Sequence, residues 1–221
     1  VNEENRETPV EGLPGRGAPA GLEMSFPGMP GPEVRYKAAL GLLEAGRIDE
    51  AEAALKPLLE EYPDHIPGLI ALGEVYLHQG RSDEAIEVND RVIRINPDIS
   101  TPFVNLGYAF ILKGDYDQAV SECDEAIRIN SRDTAAYINI SLAYLLKEDW
   151  AMCRLASEKL LEIAPDSAEA HNNLAVALFR QGHLEQAVAH VEAAAGHGYP
   201  VDKDFIQELK QALGGAPSTE A

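Results

Sequence analysis

The chain has 221 residues, 45% hydrophobic and 25% charged, a composition that can bury a sizeable core in one domain or one extended array and excludes collagen-like or wholly unstructured chains. Its 37 acidic and 18 basic side chains leave a formal charge of -19, which repels nucleic-acid phosphates and anionic lipid headgroups and sets both aside as partners. No run approaches the ~18 consecutive apolar residues that a membrane span requires, so no membrane insertion is expected.

No targeting segment stands in the first thirty residues, and two cysteines, Cys123 and Cys153, make no disulfide framework. A reducing cytoplasm is the default setting, with a periplasmic one left open because a signal peptide trimmed before Val1 would leave no trace. The excess of acid reads first as a solvated surface, with a basic partner as the alternative.

In chain order, residues 1–31 carry Pro9, Pro14, Pro19, Pro27 and Pro30 without periodicity and read as an unstructured leader. Inside it Leu22, Met24, Phe26 and Met29 form a short apolar motif that could dock in a groove of its own molecule or of a neighbouring copy. From Pro32 onward the pattern repeats every 34 residues. The eighth place of successive units holds Ala39, Gly73, Gly107, Ser141 and Ala175, and the twentieth holds Ala51, Ala85, Ala119, Cys153 and Ala187. The eleventh place is bulky: Leu42, Tyr76, Phe110, Tyr144, Leu178.

Each unit therefore reads as two helices whose small residues permit close approach, with the bulky eleventh side chain filling the space beside them. Between the helices Gly46, Gly80, Gly114 and Gly182 suit the left-handed residue that ends a helix, with Glu148 as the exception. Pro63, Pro97 and Pro165 close the second helix. The units span 32–65, 66–99, 100–133, 134–167 and 168–201. An amphipathic helix over 202–213, with Phe205, Ile206, Leu209 and Leu213 on one face, caps the stack, and 214–221 form a tail.

The stretches LIALGEVY, EAIEV and INPD of the second unit, with FVNLGYAF and QAVSE of the third, resemble the tetratricopeptide repeat family. That resemblance implies an all-α, right-handed α-α superhelix and a protein that binds other polypeptides. The fourth unit departs most, with Ser141, Glu148, Cys153 and Ser157 where glycine, glycine, alanine and an aromatic are usual.

No phosphate loop, G-x-S-x-G, His-Glu-x-x-His or Cys-x-x-Cys occurs, so neither an enzyme nor a cofactor or metal site is expected. His183, His190 and His197 recur every seven residues, too far apart along one helix to share an ion, and read as surface residues. Cys123 and Cys153 read as buried, inert thiols, and Asn89 as bonded locally or facing solvent. The candidate surface is the inner wall of the first helices. Asn105, Asn139 and Asn173 stand at the sixth place, where their amides could hold a peptide backbone. Similar ladders in superhelical members of the family hold extended peptides. Ile70, Val104, Ile138, Tyr108, Leu142, Leu112 and Leu146 flank them as apolar contacts, and Arg180 adds a charge. The expected function is a non-enzymatic adaptor or scaffold. Self-assembly through the leader and a secretion or assembly chaperone are the alternatives.

Overall fold

The computed structural model describes residues 31–215, so the leader motif and the last six residues lie outside the described part. Ten helices form five antiparallel pairs: α1 (Pro32–Glu44) with α2 (Ile48–Glu61), α3 (Ile66–His78) with α4 (Ser82–Ile95), α5 (Thr101–Lys113) with α6 (Tyr116–Ile129), α7 (Thr134–Leu146) with α8 (Trp150–Ile163), and α9 (Ala168–Arg180) with α10 (Leu184–Gly196). A final helix, α11 (Lys203–Gly215), packs on α10 through Leu209 and Leu213 and runs on through Gly214. The described residues contain no strand, and no helix among them is long and apolar enough to cross a membrane.

In the second and third units the eighth place is glycine because the side chain at the twenty-fourth fills the space opposite it. A Cβ at Gly73 would sit 2.5 Å from Asn89 Nδ2, and one at Gly107 would sit 2.3 Å from Cys123 Sγ. Both opposing side chains are fully buried, so the first and second helices of these two units meet backbone to side chain. The fourth unit carries Ser141 and Ser157 at these places, both fully buried, and the Ser157 hydroxyl makes no regular hydrogen bond.

Curvature follows from which helices touch. The first helices α1, α3, α5, α7 and α9 contact one another in sequence, whereas each second helix reaches the next unit only through its first helix. Close spacing on one side and splay on the other place the first helices on the inside of the array.

All five turns share one geometry. Gly46, Gly80, Gly114 and Gly182 have φ between 70° and 83°, and Glu148 takes the same left-handed conformation at φ 61°. In each, the next residue donates its N–H to the eleventh-place carbonyl, as in Asp149 to Tyr144 at 2.9 Å. A side chain in this conformation costs ~1–2 kcal/mol. Glu148→Gly is therefore expected to stabilise the protein by about 1 kcal/mol, read as a rise in the urea midpoint with an unchanged slope.

A second regularity runs between units. Gln79 bonds Asp49 at 3.0 Å, Lys113 pairs with Asp83, and Lys147 pairs with Asp117, each joining one turn to the second helix of the unit before. The next member would be Gln181 with residue 151, but that place is Ala151, which offers no side-chain acceptor. The fourth unit has lost the acid that its neighbours keep.

Candidate polypeptide-binding wall

On the inner wall the ninth and thirteenth places point outward from the array's core. Tyr108, Leu112 and Leu146 are 37%, 44% and 43% exposed, large values for apolar side chains. Leu142 joins them half-buried, and Arg180 is exposed at the thirteenth place of the last unit. Its guanidinium lies 5.8 Å from the Trp150 ring and 5.6 Å from that of Phe179, a position that keeps the charge at the wall. Ile70, Val104 and Ile138, at the fifth place, are half-buried. Between α3 and α5 the wall opens into a hollow of about 370 Å³ lined by Glu74, Leu77, His78 and Tyr108.

The three asparagines have other partners. Asn105 Nδ2 donates to Asn89 Oδ1 at 3.1 Å, Asn139 Nδ2 to the Val104 carbonyl at 3.1 Å, and Asn173 Nδ2 to Ser141 Oγ at 3.0 Å. Every bond runs to the preceding unit. Asn139 and Asn173 are buried, and Asn105 is half-buried. The ladder thus ties repeat to repeat, with one of the two N–H donors of each amide committed to the preceding unit. Asn89, at the centre of the second unit, is fully buried and donates to the Ala85 carbonyl at 2.8 Å, so it bonds locally and does not face solvent.

Cys123 and Cys153 are fully buried, and burial pushes both thiols up to about 12. They carry no nucleophilic chemistry at neutral pH.

His183 and His197 are exposed, as their spacing suggests, whereas His190 is half-buried. His171 of α9 stands between the two helices' ends, its ring 5.1 Å from that of His190 and 5.8 Å from that of His197. His171 Nε2 lies 3.0 Å from the Pro165 carbonyl, which can only accept, so in the neutral ring Nδ1 is the acceptor for His190 Nδ1–H at 2.9 Å. A proton on both rings would set two N–H groups face to face. Burial, then His171, holds His190 below the ordinary value of 6.5, with Glu158 opposing weakly. The stability held by neutral His190 is complete above that ordinary value and is lost as pH falls through the lower folded one. Amide protection factors in α10, corrected for the intrinsic exchange rate, are therefore expected to fall as pH drops below about 6.5, and His190→Gln to remove most of that change. Among the described residues no group of three or more His, Cys, Asp or Glu side chains is arranged to hold a metal ion.

A surface that the sequence reading did not single out lies on the opposite face, where Met152 and Leu155 of α8 are exposed. The signal was present in the register: other units place polar or small residues there.

Comparison with known proteins fits this architecture. Three models described as tetratricopeptide repeat match residues 42–102, 101–133 and 156–189. Among solved structures, a thermophilic TPR protein of Thermus thermophilus is similar at 23% identity over 83% of this chain and 99% of its own, with a TM-score of 0.67. The pilF protein of Pseudomonas aeruginosa aligns over 84% of this chain and 93% of its own at 18% identity and TM-score 0.69. PilW, a type IV pilus biogenesis factor, aligns over 84% and 87% at 17% identity and TM-score 0.74. At these identities the likeness is one of fold. None of the curated proteins matches the chain.

Proposed function

Because this chain belongs to the tetratricopeptide repeat family, we propose that it is a non-enzymatic adaptor that holds an apolar segment of another polypeptide on its inner wall. The observation that carries this reading is the exposure of Tyr108, Leu112 and Leu146 on adjacent first helices, where a monomer with no ligand would favour polar side chains. Leu142 and the half-buried Ile70, Val104 and Ile138 extend the apolar strip, and Arg180 bounds it at one end. Side-chain burial supplies the affinity here. The asparagines contribute by fixing the spacing of the units that present those side chains.

The test is a triple variant, Tyr108→Ser, Leu112→Ser and Leu146→Ser. These side chains are exposed, so the unfolding midpoint should hardly move, while recovery of co-purifying polypeptides falls at least ~10-fold, as expected for loss of central apolar contacts. Equal recovery from a folded variant removes the wall from consideration.

A further inference from the structure

The second helices form the outer face, and four of the five carry an acidic start: Asp49, Asp83, Asp117 and Glu185 at the eighteenth place. The fourth has Ala151. At the nineteenth place Glu50, Glu84, Gln118 and Gln186 give way to Met152, and at the twenty-second Ala53, Glu87, Ser121 and Ala189 give way to Leu155. Met152 and Leu155 are 38% and 49% exposed. Three changes in one helix, all from polar or small to apolar or uncharged, are not explained by the stacking of repeats.

The two side chains border a hollow of about 260 Å³ between α6 and α8, walled by Val120, Asp124 and Ile127 on one side and Met152, Leu155 and Lys159 on the other. Charge marks the same place. In α8 the bases Arg154 and Lys159 match the acids Glu158 and Glu162, whereas α2, α4, α6 and α10 are each net negative. On a chain of formal charge -19, this is where an equally acidic body meets the least repulsion. The walls also differ in sign. Asp124 has no ion pair among the described residues, and Lys159, paired only with Glu162 of its own helix, faces it across the hollow.

We propose that this outer hollow is a homodimer interface, in which a second copy of the chain seats its own Met152 and Leu155 across a two-fold axis. That axis sets each Asp124 opposite Lys159 of the partner subunit, so one patch is complementary to itself, and the contact closes at two copies without forming a filament. The inner wall stays open in both subunits.

The test uses the full chain and its mass by sedimentation between ~1 and ~100 μM, the range in which an interface of standard size associates. The mass is expected to double across that range. Met152→Gln with Leu155→Ser, residues that other repeats carry at these places, should weaken association at least ~10-fold while the helical signal and thermal midpoint persist. Asp124→Lys and Lys159→Asp should each weaken it, and their combination should restore it to within ~3-fold of the parent, the mark of a direct charge pair. A parent chain that stays monomeric, or a dimer indifferent to these substitutions, overturns the proposal and gives the patch to a different protein. Failure of the charge swap to rescue overturns the two-fold arrangement. The Tyr108, Leu112 and Leu146 variant should dimerise like the parent, which keeps the two surfaces separable.

Discussion

Gly107→Ala lowers the unfolding free energy by about 3 kcal/mol, near the upper end for forcing a methyl group into a filled core. The new Cβ would stand 2.3 Å from Cys123 Sγ and 3.2 Å from the Ala119 carbonyl oxygen. Neither can retreat easily, since Cys123 is fully buried and the carbonyl belongs to helix α6. Cys123→Ala alone opens a small void and costs about 1 kcal/mol. Combined with Gly107→Ala it should recover part of the loss, because the sulfur that obstructs the methyl is gone while the carbonyl contact remains. Urea denaturation of the parent, both single variants and the pair gives the coupling directly. A simple sum of the two single effects would mean that the clash is relieved some other way.

Asn139→Asp is the second large effect, at about 3 kcal/mol near neutral pH. The substitution keeps size and shape but replaces the donor 3.1 Å from the Val104 carbonyl with a carboxylate oxygen at a buried site. Protonation restores a donor. The introduced acid is held above its unfolded value, near 4, so its penalty is full at neutral pH and shrinks as pH falls toward that value. This is opposite in sign to His190, and thermal melts of the variant against the parent at several pH values separate the two. A variant as stable as the parent at neutral pH would remove the asparagines from the stacking account.

The repeat was legible because its steric demands recur. Small residues at the eighth and twentieth places and glycine in the turns are constraints that each unit must satisfy, and Glu148 satisfies one of them at a cost in strain. The asparagines were legible as a series but not by direction. Around a helix the sixth place lies about 60° from the ninth, which turns it toward the preceding unit while the ninth faces the groove. Periodicity identifies a stripe, and a bond such as Asn173 to Ser141 depends on how two units are set against each other. His171 escaped notice for the same reason, since its partners His190 and His197 lie on another helix and beyond its end. Asn89 violates the apolar pattern, yet Gly73 opposite it supplies the room, so the pair is intelligible only once the two helices are packed.

The central claim is that the inner wall holds polypeptide. A photo-crosslinking amino acid placed at Leu112 or Leu146 in the native cellular setting, with Glu87 on the outer face of α4 as the control, tests it most directly. The account predicts discrete protein adducts from both inner positions that disappear when Tyr108→Ser is added, and none of the same adducts from Glu87. Adducts from Glu87 alone, or inner-wall adducts indifferent to Tyr108, would contradict it.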